Sequence, residues 1–591
     1  MGLWLDWVVI TVYCGTLVYI GWRTARRKSS IEDYFLAKRE MHWSIISISF
    51  IATSISALSF VGAPEQGFFE TDWYIYSNLG DLIARFIVAF LFLSAFYKLR
   101  VQTIYELLGK RFGLPTQRLA AGYFLVTRIV SEAIRITAAT IVLNVVVGGA
   151  LPFATVVIVY MVLVLAYVLF GGLRAVMWSE IMQFFVFMFG LVFCFLVIVH
   201  KLPGGWSDMF RAGKDAQVMA LVSQDKLLDD TRIAHLREER GEDFRWPLRK
   251  HRVIARAPAE KFADNPGDRG CLVDIFESSV GPDGRPTGRY APKKVNKFGA
   301  LSLLQGKELG MLLLMIVWGI FGSTAAYGCD HDMAQRLLTA DKPRKAKKAM
   351  IVSGFLNIPM VFLFLFIGIA LYAYNRHTGF AARLLEAGRL ETGTHVFAGF
   401  IFQELPAGVR GLLVAGILAA AMSTSSAGLN SLSSSVMIDF YKPLFRKRKE
   451  DHYVFVARCV MVIIAVINTI VAVYFGGMGD LLWMAFKIVA FSYGALLGIF
   501  LLAMLLPRGN NVGNLIAMIS TPIMVGLLFW LHSVYGAEPP SGGVWDSVPF
   551  LAKCVKLLAD IDWRLYVTIT AIWTFGFAAL FRAKRTFSIW Q

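Results

Sequence analysis

Stretch after stretch of about 20 apolar residues runs through this chain, and that repetition limits its fold more than any motif does. Such a stretch, coiled as an α-helix, matches the ~30 Å hydrocarbon core of a bilayer. Hydrocarbon offers no water to an unpaired N–H or C=O, and a helix satisfies both from within. Sustained apolarity marks spans at about 4–22, 43–63, 74–97, 118–148, 152–170, 175–199, 308–328, 349–374, 411–437, 453–475, 481–506, 512–533 and 563–581. The expected fold is therefore an all-α polytopic membrane protein of about thirteen transmembrane helices. Composition agrees, with 57% hydrophobic and 17% charged residues; soluble domains hold about 45–50% and about 25%.

The net charge of +18 does not point to nucleic acid. Basic residues gather in short loops at alternate helix ends, as the positive-inside rule requires. Arg23, Arg26, Arg27 and Lys28 follow the first span; Arg344, Lys345, Lys347 and Lys348 follow the seventh; Arg446, Lys447, Arg448 and Lys449 follow the ninth. This register expects a multi-pass protein of the cell (inner) membrane, with the N-terminus outside and the C-terminus cytoplasmic. No cleavable signal peptide is evident, because Met1-Gly2-Leu3-Trp4 has no basic start. Residues 201–306 form a polar insertion between the sixth and seventh helices, on the outer side, read as a surface loop with a cap or partner site as the alternative. The six cysteines have no metal-ligand spacing. A Cys271–Cys554 disulfide is conceivable, but two unrelated thiols are the simpler reading.

Two spans are unusually rich in hydroxyls. The second contains Ala52-Thr53-Ser54-Ile55-Ser56 and Ser59, followed by Pro64 and Gly67; the ninth contains Ala420-Ala421-Met422-Ser423-Thr424-Ser425-Ser426. Hydroxyls can serve helix packing alone. A helix-breaking tail suggests more, since unwound backbone at membrane depth is tolerated where it lines a cavity or binds an ion. Alcohol and carbonyl oxygens are hard ligands suited to an alkali cation. On a helix Ser423 and Ser426 share a side while Thr424 diverges by about 100°, which allows two adjacent cation positions.

Charged residues within spans are functional candidates. Glu180 opens the sixth span and reads as a ligand of a second cation, a proton carrier, or an interfacial carboxylate touching water. Arg128, Glu132 and Arg135 lie on one stripe of the fourth span. If Glu132 pairs fully with one arginine, a guanidinium is left over, and its fork suits a carboxylate; a structural triad is the alternative. Asp81 and Arg85 read as a structural pair, and Lys487 as either snorkelling or facing a cavity.

In order along the chain, Ser30-Ile31-Glu32-Asp33-Tyr34-Phe35-Leu36-Ala37, the segment 49–67, Gly171 through Glu180, Asp330 through Arg336, and Ala420 through Asn430 resemble the sodium:solute symporter family. The resemblance implies a LeuT-type core of inverted five-helix repeats at about 43–506, within one transporter domain spanning 1–591. One helix would be extra at the N-terminus and two at the C-terminus. It implies Na+ as the coupling ion, held by Ala52, Ile55, Ala420, Ser423 and Thr424, with Glu180 and Ser426 at a second sodium. Solute positions carried over are Ser59 and Asn78; Ala326 stands where sugar carriers have a covering tyrosine, with Tyr327 beside it. Members that carry carboxylates are similar in having an arginine near Arg135.

The expected function is sodium-coupled import of a small organic solute, carboxylate-bearing, by alternating access. A neutral sugar or polyol is the second choice, and a transporter-like membrane sensor the reading from another class. No enzyme is expected: His331 between Asp330 and Asp332 is the one candidate catalytic cluster, and the family resemblance explains it as a loop after the sixth core helix. Expected partners are the solute, the sodium ion and membrane lipid, without nucleic acid, in a monomeric functional unit.

Overall fold

The computed structural model describes residues 3–25, 30–69, 73–146, 151–214, 309–386, 395–477, 481–535 and 549–582, with short strands between 216 and 295. The first half comprises α1 (Leu3–Ala25), α2 (Ile31–Leu36), α3 (Trp43–Ser54), α4 (Ala57–Phe69), α5 (Trp73–Ile87), α6 (Leu93–Lys98), α7 (Tyr105–Phe112), α8 (Leu114–Val146), α9 (Phe153–Lys201) and α10 (Gly205–Lys214). The second half comprises α11 (Leu309–Gly328), α12 (His331–Leu337), α13 (Pro343–Thr378), α14 (Phe380–Glu386), α15 (His395–Glu404), α16 (Val409–Ser435), α17 (Lys442–Leu444), α18 (Glu450–Tyr474), α19 (Leu481–Leu505), α20 (Asn511–Tyr535), α21 (Pro549–Ala559) and α22 (Tyr566–Ala579).

Among the described residues eight helices are long and apolar enough to cross a membrane, or nine if the bent pair α11–α12 counts as one span. Thirteen crossings were expected. The difference falls on α8, which carries Arg118, Arg128, Glu132 and Arg135, on the broken second span, on the short α22, and on α9. The 49 residues of α9 contain two expected spans. They are divided at Gly172, whose backbone is left-handed (φ 57°, ψ −159°). Only glycine suits that point, because a Cβ there would lie 2.6 Å from the Tyr34 carbonyl oxygen.

The centre of the bundle is α16, buried along nearly its whole length and packed against α1, α3, α4, α8, α9 and α18. Small residues permit the closest helix approaches. Gly319 of α11 faces the Ser77 carbonyl on α5, and Gly368 of α13 faces the Pro64 carbonyl on α4. Neither point leaves room for a methyl group. The last helix, α22, packs on α11, α19 and α20.

The insertion is not simply loop. It begins with α10 and contains strands β1 (Ala216–Gln217), β2 (Met219–Ser223), β3 (Val253–Ile254), β4 (Gly270–Val280), β5 (Pro286–Pro292) and β6 (Lys294–Val295). The long β4 pairs antiparallel with β2, β3 and β5, and β1 pairs with β6. Cys554 is a free thiol; the side chain of Cys271 lies outside the described residues.

Candidate ion and solute site

The second span is broken where its hydroxyls cluster. α3 stops at Ser54, and Ile55 takes extended backbone (φ −97°, ψ 113°) before α4 resumes at Ala57. The Ile55 N–H still donates to Ile51 O at 3.2 Å, and the Phe60 N–H donates to Ser56 O at 2.9 Å. Between these bonds the ladder lapses, and the carbonyls of Ala52 and Ile55 accept no hydrogen bond among the described residues. Both residues are buried. Such carbonyls are costly in an apolar bundle unless a ligand takes them up.

α16 packs against both halves of this break. Ala420, Ser423, Thr424 and Ser426 are all buried. The Thr424 hydroxyl donates to Ala420 O at 3.1 Å, and the Ser426 hydroxyl donates to Ser423 O at 2.9 Å. A hydroxyl that donates back along its helix keeps its lone pairs free to face a cation. The Ser423 hydroxyl is buried with no hydrogen-bond partner among the described residues. Tyr167 donates to the Met422 carbonyl at 3.0 Å, and Tyr160 bonds the Ser425 hydroxyl at 2.9 Å, so α9 fixes the rotation of α16.

Glu180 differs from the interfacial reading. It is wholly buried. It accepts from Arg336 Nη2 and from the Thr53 hydroxyl at 2.7 and 2.8 Å, and also from the Ser49 hydroxyl. The carboxylate does not face water; a guanidinium and two alcohols surround it.

That ion pair continues into a larger network. Arg336 contacts Asp332 at 3.1 Å. Asp332 reaches Arg128 at 2.5 Å, and Arg128 reaches Glu132 and Asp330 at 3.4 and 3.5 Å. Glu132 stands 3.8 Å from Arg135. Sequence spacing alone left a surplus arginine in the fourth span. The structure reverses this sum: α12 adds Asp332 and its N-cap adds Asp330, so carboxylates outnumber guanidiniums in the network. Arg128 is neutralised. Arg135 is not, since its one ion pair among the described residues is the long one to Glu132, and its side chain is 24% exposed. A guanidinium so placed has donors to spare.

Arg135 opens onto a cavity of about 240 Å³. All four solute candidates line it: Ser59, Asn78, Arg135 and Tyr327. So does Ile55, which places the cavity beside the break in the second span. Asn78 accepts from Asn357 at 3.1 Å. Tyr327 donates to Asp81 at 2.6 Å and accepts from Arg85 at 3.0 Å. Arg85 pairs with Asp81 at 2.7 Å, so Tyr327 presents a held hydroxyl rather than a loose one. Glu180 and Ser426 do not line this cavity, and Lys487 is exposed outside it.

Several participants escape sequence reasoning. In the sequence, Asp330 and Asp332 stand out as the neighbours of His331 and Arg336 as part of a matching motif; their pairing with α8 and Glu180 is not legible there, though three charges within seven residues beside an apolar span are a signal in themselves. Tyr493 donates to Asp330 at 3.0 Å and borders the cavity. Trp318 and Trp563 also border it, and nothing in their local sequence marks them. His331 is buried against Ser434 at 3.2 Å and takes no part in the cavity.

Comparison with known proteins agrees with this geometry. The family model described as sodium:solute symporter family matches residues 34–249 and 287–521. A sodium/sialic acid symporter of Proteus mirabilis is 22% identical over 567 residues, covering 94% of this chain and 97% of that protein. A sodium/glucose cotransporter of Vibrio parahaemolyticus is 24% identical, covering 89% and 85%. The substrate-bound, outward-open structure of a Na+-coupled sialic acid symporter superposes with a TM-score of 0.70 over 99% of both chains, at 19% identity. With its broken second span, its hydroxyl-lined ninth and a family match across most of its length, the chain belongs to the sodium:solute symporter family.

Proposed function

We propose that this multi-pass membrane protein uses one sodium ion to import a small carboxylate-bearing organic solute. The ion would sit between the carbonyls of Ala52 and Ile55 and the oxygens of Ala420, Ser423 and Thr424. The observation that carries this reading is the meeting of a broken α3–α4 with α16, where the Ala52 and Ile55 carbonyls and the Ser423 hydroxyl have no hydrogen-bond partner among the described residues. One ion is favoured over two because Arg336 already neutralises Glu180, leaving no bare carboxylate beside Ser426.

Arg135 is the group proposed to hold the solute carboxylate, with Ser59, Asn78 and Tyr327 as further polar contacts around it. Relatives named for sialic acid, glucose and monocarboxylates span acids and neutral sugars. The partly exposed, underpaired guanidinium supports the acid.

Coupling follows from position. Ile55 borders both the solute cavity and the proposed ion site, so an ion that fixes the break also fixes one cavity wall. Alternating access then moves both together, and the membrane potential adds about 2.3 kcal/mol per charge per 100 mV. Orientation follows the basic loops, with the N-terminus outside and the C-terminus cytoplasmic.

The test is uptake by proteoliposomes of a labelled panel (sialic acid, glucuronate, lactate, glucose) under an inward sodium gradient and under potassium. Sodium-driven uptake of an acid, but not of glucose, is expected. Uptake indifferent to sodium would refute the ion site, and glucose preference would refute the acid.

A further inference from the structure

Trp563 belongs to the extreme C-terminal segment, outside the expected ten-helix core at about 43–506. Its side chain nevertheless lines the solute cavity, as does that of Val567 one turn further on. Trp318 of α11 lines it too. The two indoles meet edge to face, with centroids 6.1 Å apart and planes at 74°. Both are partly exposed rather than packed away.

Trp563 is braced from behind. It opens a short 3-10 turn, Trp563–Leu565, capped by Asp562, whose carboxylate accepts from the Arg564 backbone N–H. The same carboxylate holds Arg564 Nη1 at 2.9 Å. The Arg564 guanidinium carbon in turn lies 5.6 Å from the Trp563 ring centroid. Trp563 also packs against the cluster of Val525, Leu528 and Tyr566. A ring held this way has little conformational freedom to lose when a ligand settles on it.

The cavity lining thus combines polar groups, Arg135, Asn78 and Asp330, with the aromatic surface of two indoles. A ligand pocket of this type draws its hold from aromatic walls and its orientation from a few polar groups. The C–H-bearing face of a saturated ring covers an indole well; a two- or three-carbon acid has no such face to offer.

We propose that Trp563, together with Trp318, forms the wall that holds the ring of a cyclic solute, so that the C-terminal segment selects sugar-acid-like carboxylates over short-chain monocarboxylates. This rests on the carboxylate reading of Arg135 and adds the part of the solute that Arg135 does not see.

The experiment measures half-saturation of sodium-driven uptake in proteoliposomes for two probes, D-glucuronate and L-lactate. It compares wild type with Trp563→Ala, Trp563→Leu, which keeps bulk without an aromatic face, and Trp563→Phe, which keeps a face. Trp563→Ala and Trp563→Leu are expected to raise the glucuronate value about tenfold, equivalent to ~1.4 kcal/mol. Lactate and the sodium half-saturation stay within about twofold, a difference too small to count against a ~1.4 kcal/mol scale, and Trp563→Phe recovers most of the loss. Equal shifts for both acids, or an unchanged glucuronate value, overturn the proposal. If wild type accepts neither acid but takes up glucose, the carboxylate reading falls. The same variants measured with glucose then decide the wall by itself, and an unmoved glucose value overturns it.

Discussion

Replacing Glu180 by glutamine separates the two roles open to this carboxylate. In the structure Glu180 and Arg336 are both wholly buried and 2.7 Å apart. Removing one partner of a buried pair costs about 3–5 kcal/mol, because the other charge stays behind without its counter-ion. Arg336 keeps Asp332, at 3.1 Å to its carboxylate and 2.5 Å to its carbonyl. The lower end of that range, about 3 kcal/mol, is therefore expected, or roughly a hundredfold or more in the folded-to-unfolded ratio. The assay is thermal unfolding of the purified protein in detergent, in matched sodium and potassium chloride. A ligand that binds the folded form raises its stability by RT ln(1 + [L]/Kd), so the difference between the two salts reports sodium binding by itself. Glu180→Gln is expected to lower the midpoint equally in both salts and to leave the sodium increment intact. The double variant Glu180→Gln/Arg336→Met recovers part of the loss, since contacting residues couple by about 0.5–3 kcal/mol. Full stability in potassium with loss of the sodium increment would refute the reasoning and make Glu180 an ion ligand.

Three other outcomes are expected. Arg135→Gln weakens half-saturation for carboxylate solutes by roughly 10- to 100-fold, the worth of a charge-assisted hydrogen bond at about 1.5–3 kcal/mol, and leaves neutral analogues unchanged in the same uptake assay. Gly319→Val separates α5 from α11, because even a Cβ at that position clashes with the Ser77 carbonyl; loss of monodisperse protein on size-exclusion chromatography checks this. Gly428→Leu drives a side chain into Glu132, whose carboxylate oxygen lies 3.0 Å from a Cβ built there; solute half-saturation rises in uptake measurements while sodium-dependent thermal stabilisation persists.

Some of this site can be read from one dimension and some cannot. The broken helix is legible because breaking is local: hydroxyls competing for the backbone, then Pro64 and Gly67, weaken one turn of one helix. The run at 423–426 is legible for the same reason. The partners of a charge are another matter. Arg128, Glu132 and Arg135 read as a surplus of positive charge because their spacing fixes only which residues share a helix face. Asp330, Asp332 and Arg336 come from a helix some 200 positions away, bent by 67° from the preceding α11, and no periodicity in α8 records them. Glu180 misleads in the same way: its place near a span's end suggests water, whereas Arg336 and the hydroxyls of α3 enclose it. Trp563 is the extreme case, since the packing on α11 of the short turn that precedes α22 brings it to the cavity. Gly172, by contrast, is legible within α9 because the two apolar runs on either side are each one span long.

The central claim is that carbonyls of the broken α3–α4 and hydroxyls of α16 together capture one sodium ion. Equilibrium binding of radiolabelled sodium to purified wild type and to Ser423→Ala/Thr424→Ala tests it most directly. The account predicts saturation near one ion per wild-type chain, displaced by sodium but not by potassium, and no saturable binding to a double variant that still folds. Undiminished binding to that variant would contradict it.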